Sequence, residues 1–428
     1  LAATVLLASC DKKPELLSGI TKKNMDTLVN PGDNFEQYVN GTWKKTNKIP
    51  ADKASYGAFD ILYDQSQKDV KAIIEEASKG TFADGSDEQK IGDFYNSFLN
   101  RKDRDAKGIS PIQNELKEID AISNYSDLAA YFGKANKNGV SIPFSVAVTE
   151  DFKDPKKYTL MTWQGGLGLP EREYYLQNDA KMTDIRKKYV SHVEKMLQLG
   201  GIANPAESAT KIMALETSLA TNHMKKEDTR NTAALYNKYA IADLKTLMPD
   251  FDWTAMLKNA GIDKEKSIVV SQVAYTKSLN NIIKTTPIAT WKTYLKWGLI
   301  NDRANSLTSA LDKQNFEFYS KTLYGTEAQE EDWKRAVNAV NGGLGEIVGK
   351  VYVKKHFTPE AKERMTGMVK NLLKAYAESI KNLDWMSANT KKEALAKVDK
   401  FMIKIGYPDT WRDYSSLKVA KNDLYGNK

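Results

Sequence analysis

Residues 30–62, NPGDNFEQYVNGTWKKTNKIPADKASYGAFDIL, contain the pattern that decides how the front of the chain folds. The opening Asn-Pro-Gly-Asp is typical of a turn, because proline fixes φ and glycine permits the reversal. Asp33 is predicted to be the N-cap of a helix that ends near Gly41, with Glu36 completing a capping box. Apolar residues recur on one face of this helix, namely Phe35, Tyr38, Val39 and Trp43. The stretch therefore predicts an aromatic-rich module that attaches the N-terminus to a helical body.

Composition and charge are those of a soluble globular protein. The chain has 428 residues, of which 41% are hydrophobic and 28% are charged, and both values are ordinary. The 63 basic and 55 acidic residues give a formal net charge of +8. Acidic residues are interleaved with the basic ones, and no run of five Lys or Arg occurs. We interpret this as a solvated basic surface and expect no nucleic-acid partner.

The N-terminus has the pattern of an export signal. Residues 1–9, LAATVLLAS, are apolar and too short to span a membrane, which is typical of the end of a secretory signal peptide. The sequence LASC at residues 7–10 resembles a bacterial lipobox, so we expect a partial lipoprotein signal peptide at 1–9, a lipid on Cys10 and a tether at 10–24. The alternative is a free thiol in a frayed terminus. Cys10 is the only cysteine, which excludes disulfide bonds and thiolate catalysis in the body.

Most of the body has helical periodicity, and we predict a mainly α fold built as one large multi-helical domain. Around Val140 the apolar period changes from about 3.6 to about 2. Residues 144–148 and 158–163 are therefore predicted to pair as a small antiparallel β-hairpin, joined by a charged loop at 150–157. Residues 165–170 are rich in glycine but lack the spacing and the Lys-Ser/Thr of a phosphate-binding loop, so we expect no nucleotide site there.

Two helices with clear start signals are predicted in the last third of the chain. Thr358 is the predicted N-cap of the first, with Pro359 at its first position, and Ser387 caps the second, which is predicted to end at Gly406. The apolar face of the first helix consists of Met365, Met368, Val369, Leu372, Leu373, Tyr376 and Ile380. The residues of the second helix predicted to point inward are Leu395, Val398, Phe401, Met402 and Ile405.

Several segments, taken together, resemble a known family. The opening pattern PGD–F–YVNG–W–IP–SYG–FDIL, GLP-x-R-x-YY at residues 168–175, LDWM at 383–386 and IGYPD at 405–409 are similar, in this order, to neprilysin-type zinc metallopeptidases, which include the endothelin-converting enzymes. The resemblance runs from about Met25 to Trp411 without rearrangement. It implies that residues 25–412 form the family's helical N-terminal domain, which encloses the substrate. Residues 413–428 would then begin the connection to a catalytic domain, and GLP-x-R-x-YY would be a structural turn.

The resemblance implies zinc chemistry, but the expected ligands are not in this chain. The family takes two zinc ligands from a His-Glu-x-x-His helix and a third from a later glutamate. The three histidines here, His192, His223 and His356, are never paired at i and i+4. We interpret His192 and His356 as surface or packing residues. His223 and Glu227 share a helical spacing that offers two metal ligands, but no third ligand is in view. A solvated helix end is therefore favoured over a metal site there. We expect no catalytic or metal-binding residue here, with the zinc ligands beyond Lys428 on the protein's own C-terminal catalytic domain.

The resemblance also identifies candidate substrate-binding positions. In animal members of the family, two arginines around the YG-x-FDIL segment hold the C-terminal carboxylate of the substrate, which suits the planar guanidinium. The matching positions here are Ser55 and Tyr63, and neither side chain forms a charged fork. We therefore expect a preference nearer to endopeptidase cleavage than to dipeptide release.

The sequence thus predicts the substrate-enclosing N-terminal part of a zinc metalloendopeptidase that hydrolyses oligopeptides, inactive without its catalytic domain. The expected location is the bacterial cell envelope, exported and lipid-anchored, on the periplasmic or outer surface. The alternative is a non-enzymatic helical surface lipoprotein that binds a glycan or a peptide. Its support is the lipobox, the helical content, and 8 Trp and 21 Tyr that can stack on sugars, although core packing explains such aromatics equally well.

Overall fold

The computed structural model describes residues 19–428. The predicted signal peptide, the lipidation site at Cys10 and most of the tether lie outside the described residues. The predicted fold class is confirmed, since the chain is mainly α-helical with one small sheet. Within residues 19–428, no helix combines the length and apolar character needed to cross a membrane.

The helices of the first half are α1 (Phe35–Thr46), α2 (Ala58–Lys79), α3 (Asp87–Leu99), α4 (Arg101–Lys107), α5 (Gln113–Ala121), α6 (Tyr125–Lys137), α7 (Glu173–Leu176), α8 (Ala180–Leu199) and α9 (Pro205–Asn222). Those of the second half are α10 (Thr232–Leu235), α11 (Trp253–Ala260), α12 (Val273–Thr285), α13 (Ile288–Arg303), α14 (Ser309–Phe316), α15 (Asp332–His356), α16 (Pro359–Asn382), α17 (Ala388–Asp399) and α18 (Leu424–Asn427). The strands are β1 (Phe144–Asp151), β2 (Asp154–Gln164), β3 (Lys238–Ala240) and β4 (Ser267–Val270).

The predicted hairpin is confirmed, and it belongs to a larger sheet. Strands β1 and β2 pair antiparallel, with Phe144 opposite Gln164. Strand β4 runs parallel to β2 and antiparallel to β3, which gives the order β1-β2-β4-β3. The loop predicted at 150–157 is wrong in length, because the strands continue until only residues 152 and 153 separate them.

The start of the chain differs from its prediction in two details. Asn34, not Asp33, is the N-cap of α1, since its side chain accepts a hydrogen bond from the Gln37 amide. The helix continues past Gly41 to Thr46. Glycine at position 41 permits close packing rather than ending the helix, because a Cβ atom there would lie 2.6 Å from the Cβ of Asp26.

The described residues form two hydrophobic cores. The large core lies within residues 112–318 and is built from helices α5–α9 and α11–α14 together with the sheet. Its bulkiest fully buried side chain is Trp291. The small core joins α2 and α3 to α15, which is more than two hundred residues later in the chain, and also includes Leu424. One core is therefore continuous in sequence, whereas the other is assembled from distant segments.

A network of charged residues lies at the seam, which we define as the contact of α4, α14 and α15 between the two cores. One guanidinium nitrogen of Arg335 contacts both carboxylate oxygens of Asp312, at 2.6 and 2.7 Å. Arg101 pairs with Asp332, and Arg104 donates to the Asn305 carbonyl at 3.2 Å. The three helices are thus joined by ion pairs and hydrogen bonds, with Arg335 and Asp312 almost fully buried.

The C-terminal strap, residues 413–428, lies across both cores. Leu424 is buried in the small core, while the Tyr425 hydroxyl donates to Glu115 beside the large core at 2.5 Å. The buried Lys90 ammonium donates to the Tyr414 carbonyl at 2.8 Å, and Asn427 donates to Ser97 at 3.1 Å. The strap therefore holds the two cores to each other at a second place besides the seam.

Helices α16 and α17 form an exposed layer. Their predicted caps are observed, with the Thr358 and Ser387 hydroxyls accepting from backbone amides at 3.3 and 3.2 Å. No residue of either helix is buried. Of the residues predicted to point inward, Leu395, Val398 and Ile405 are half-buried, whereas Phe401 and Met402 are exposed. The predicted end of the second helix is wrong, because α17 stops at Asp399. Residues 401–405 (FMIKI) are not helical.

Candidate functional site

The two predicted substrate-binding positions lie at the junction of α1 and α2. Ser55 is exposed in the loop before α2, and Tyr63 is half exposed in the second turn of that helix. The Tyr63 hydroxyl lies 3.1 Å from the Asn338 side-chain oxygen on α15 and 2.7 Å from the Gln67 amide nitrogen. Gln67 also donates to Asn338 at 2.6 Å. Tyr63 is thus fixed by a polar contact with α15, although half of the residue remains exposed.

Lys53 is the residue of this site that the sequence reasoning missed. Its ammonium nitrogen lies 2.8 Å from Asp64 and 3.8 Å from Asp60. It is also 5.8 and 5.9 Å from the ring centres of Tyr56 and Tyr63, within cation–π range. Only 13% of the Lys53 side chain is exposed. A cation is therefore present beside the predicted positions, but two carboxylates already neutralise it.

The surroundings of Lys53 contain more negative than positive charge. Lys334 on α15 pairs with Asp52 at 2.6 Å, and this hydrogen bond lowers the pKa of Asp52. Burial lowers the pKa of Lys53, but its hydrogen bond to Asp64 and the neighbouring carboxylates outweigh burial and raise that pKa. Three aspartates thus face two lysines, so the site offers no unpaired cation to the carboxylate of a substrate.

His192 is a packing residue. Its ring stacks on Phe318 with ring centres 4.7 Å apart, and its Nδ1 atom lies 3.2 Å from the Gln314 side-chain nitrogen. Burial lowers the pKa of His192 to about 3, so the imidazole is neutral at physiological pH. Of the two alternatives, surface and packing, the structure shows packing.

His223 is not at a solvated helix end, so that prediction is wrong. It is the C-cap of α9, and its ring is buried against Tyr275 and 3.1 Å from the Gly165 carbonyl. Burial lowers its pKa to about 4. Glu227 lies beyond the end of α9, next to the short 3-10 helix Asp228–Arg230. Within residues 19–428, no three or more His, Cys, Asp and Glu side chains are grouped so that they could hold a metal ion.

His356 is the last residue of α15. Its Nδ1 atom lies 3.8 Å from an Asp69 carboxylate oxygen, and its ring packs on Tyr352. This contact joins the end of α15 to α2 within the small core region.

The backbone of the glycine loop, residues 165–170, is fixed by hydrogen bonds to polar side chains. The carbonyls of Gly166 and Gly168 accept hydrogen bonds from Tyr294 and Tyr319 at 2.9 and 3.0 Å. Gly166 has φ +86°, which favours glycine. The Gly168 amide donates to the buried carboxylate of Glu216 at 3.2 Å. Each of these contacts fixes the backbone of the loop.

Glu216 is the centre of this support. Its carboxylate accepts hydrogen bonds from the hydroxyls of Tyr175 at 2.6 Å and Tyr189 at 2.8 Å. Only 1% of the residue is exposed, and burial raises its pKa to about 7. The GLP-x-R-x-YY segment is therefore bound to α8 and α9 through one buried carboxylate.

Above the loop lies a cleft of about 490 Å³, which we call the glycine-loop cleft. Its lining includes Trp163, Leu167, Tyr174, Met224 and Tyr324. Trp163 is the second-last residue of β2, Met224 follows α9, and Tyr324 precedes the connection to α15. The lining comes from three separate stretches of the sequence, so no local signal identified the cleft.

The fold is that of the N-terminal part of a metallopeptidase, as its likeness to solved structures shows. The zinc metalloprotease Zmp1 of Mycobacterium tuberculosis, in complex with an inhibitor, superimposes with a TM-score of 0.90 at 38% identity, covering 96% of this chain and 62% of that one. The same protein in an open state gives 0.79. The sequence model of the family described as "Peptidase family M13" matches residues 31–408. The chain therefore belongs to peptidase family M13.

Curated relatives extend the comparison to animals. Membrane metallo-endopeptidase-like 1 of Mus musculus is 26% identical, over 94% of this chain and 57% of its own length. Endothelin-converting enzyme 1 of Homo sapiens is 27% identical, over 94% of this chain and 53% of its own length. The chain spans a little more than half the length of these relatives. The family named from the sequence motifs is confirmed.

Proposed function

We propose that this chain is the substrate-enclosing N-terminal part of a zinc metalloendopeptidase that hydrolyses oligopeptides. The observation that carries the proposal is the unbroken match to peptidase family M13 over residues 31–408. The close likeness to an inhibitor-bound zinc metalloprotease supports it.

Residues 19–428 do not fit a zinc site, because no suitable group of ligands occurs among them. We therefore propose that the ligands belong to a C-terminal catalytic domain beyond Lys428, where zinc would activate a water molecule. No chemical step is assigned to the residues described here. Their role is to enclose the peptide and to position it.

The apolar face of α16 supports a partner domain. Met368, Leu372 and Tyr376 are each more than half exposed, although they repeat at the spacing of a buried helix face. Exposed apolar patches of this kind mark interaction surfaces. We propose that the protein's own catalytic domain covers this face.

We also propose that the protein is exported and anchored to the bacterial cell envelope through a lipid on Cys10. The support is the lipobox pattern at residues 7–10.

The full-length coding sequence and its product test the proposed function. We expect an in-frame His-Glu-x-x-His motif followed by a glutamate ligand on a later helix. Replacing the motif's glutamate with glutamine should then reduce peptide hydrolysis by roughly a hundredfold or more, because this residue takes a proton from the bound water. A full-length product without such a motif, and without hydrolytic activity, would favour the lipoprotein that binds a glycan or peptide.

The charge balance around Lys53 predicts the substrate preference. The full-length enzyme is expected to cleave an amidated peptide at least as fast as its free acid, since the described site has no unpaired cation for a terminal carboxylate. Introducing Ser55→Arg and Tyr63→Arg together should favour the free acid by roughly tenfold in kcat/KM, the size of one hydrogen bond to a charged group. The measurement is kcat/KM for both forms of one peptide.

Gln65→Arg is the matched control for that double variant. Combined with Ala72→Arg, it adds the same two positive charges at exposed positions of α2 and should leave the ratio unchanged. A strong preference of the unmodified enzyme for the free acid would contradict the prediction.

A further inference from the structure

We propose that the glycine-loop cleft is a subsite for an aromatic side chain of the peptide substrate. This inference rests on the proposed function, since it assumes that peptides are the ligands. It assigns a ligand class to a cavity far along the chain from the Ser55 and Tyr63 positions.

The size and lining of the cleft carry the first part of the argument. Its volume of about 490 Å³ lies in the range of small-ligand sites. Trp163 and Tyr324 line it and remain 39% and 64% exposed. Leu167 adds an aliphatic surface and Met224 adds a sulfur atom. Aromatic rings pack favourably against both kinds of surface.

The charges in the cleft are already paired, which argues against an ionic ligand. The Arg172 guanidinium donates to the Ala220 carbonyl at 3.3 Å and to Glu173 at 3.1 Å. Lys226 lies 4.0 Å from Glu171. Burial keeps His223 neutral at physiological pH, since its pKa is lowered to about 4. An uncharged aromatic side chain is therefore better matched to this cleft than a carboxylate or an ammonium group.

The cleft is also preorganised. The Gln164 side chain exchanges two hydrogen bonds with the backbone of Met224, at 3.0 and 2.8 Å, and so fixes one wall to β2. The other wall is the glycine loop, whose backbone is held by Tyr294, Tyr319 and Glu216. A ligand would therefore enter a cleft whose backbone is already in place, which lowers the entropic cost of binding.

Photo-crosslinking to the full-length protein, with its metal removed by a chelator, tests occupancy without catalysis. The probe is an oligopeptide in which one phenylalanine is replaced by p-benzoylphenylalanine. We expect the label on Met224 or its neighbours, and competition by the phenylalanine peptide but not by its alanine analogue. Labelling confined to other parts of the protein would overturn the proposal, and so would a cleft filled by the protein's own catalytic domain.

Steady-state kinetics provide the second test. Trp163→Ala combined with Tyr324→Ala should raise KM roughly tenfold for a peptide with a phenylalanine, the effect of losing aromatic packing, and should leave kcat and the alanine analogue unchanged. Tyr158→Ala is the control, because Tyr158 is a 77% exposed residue of the same strand that does not line the cleft.

The two hypotheses fail in different ways. An enzyme that cleaves peptides but responds equally to the cleft variant and the control would refute the subsite alone. A full-length protein without any peptidase activity would refute the proposed function.

Discussion

Replacing Arg335 with methionine is expected to lower the free energy of unfolding by roughly 3–5 kcal/mol, the usual cost of removing one partner of a buried ion pair. Arg335 is the partner of Asp312 at the seam, where the two side chains are only 12% and 5% exposed. The substitution leaves the Asp312 carboxylate buried without its main counter-charge. Denaturant unfolding of the two proteins, followed by far-UV circular dichroism, measures the difference.

Two further variants make this result interpretable. Asp312→Leu added to Arg335→Met should restore much of the lost stability, because the unpaired carboxylate is then absent. Lys188→Met breaks an exposed pair with Asp184, where both side chains are more than half exposed, and should cost less than about 1 kcal/mol. An equally small loss for Arg335→Met would show that the seam pair contributes little.

Replacing Glu216 with glutamine is expected to remove a pH-dependent loss of stability. Burial raises the pKa of Glu216 from 4.5 to about 7, and the hydrogen bonds from Tyr175, Tyr189 and the Gly168 amide only partly oppose it. Between these pH values the folded protein keeps a proton that the unfolded chain has released, so stability falls as pH rises. The shift corresponds to about 3 kcal/mol of stability. This stability is present below pH 4.5 and is lost above about pH 7.

The measurement is the free energy of unfolding across that pH range for the unmodified protein and for Glu216→Gln. As pH rises, the free energy of unfolding of the Glu216→Gln variant should increase by about 3 kcal/mol relative to that of the unmodified protein. Glu207→Gln, at an exposed position of the same helix, should keep the slope of the unmodified protein. Parallel curves for the Glu216→Gln variant and the unmodified protein would refute a raised pKa.

Local signals predicted much of the fold, and their failures have local causes. Thr358 and Ser387 cap helices as predicted because each hydroxyl accepts from a nearby amide. The cap of α1 was misplaced by one residue, since Asp33 and Asn34 are both good capping residues. Strand β3 has only three residues, too few to show a period, so the four-stranded sheet was not predictable.

The candidate site was predicted less completely. Ser55 and Tyr63 followed from a family resemblance, whereas Lys53 pairs with aspartates from the next helix and no spacing rule identifies such a loop-to-helix contact. The burial of His192 did have a signal, because Met196 lies one helical turn away on the same face. The glycine-loop cleft had none, since β2, α9 and the segment before α15 meet only in the folded chain.

The divided small core has a consequence for biosynthesis. Helices α2 and α3 leave the ribosome roughly 230 residues before α15, a delay of roughly 10 to 50 seconds at ordinary rates of translation. During this interval the apolar faces of α2 and α3 have no α15 to cover them. The buried residues of the large core all precede α15, so this core can form within that time. We therefore expect the large core to form before the small core, with the apolar faces of α2 and α3 exposed until α15 has been made.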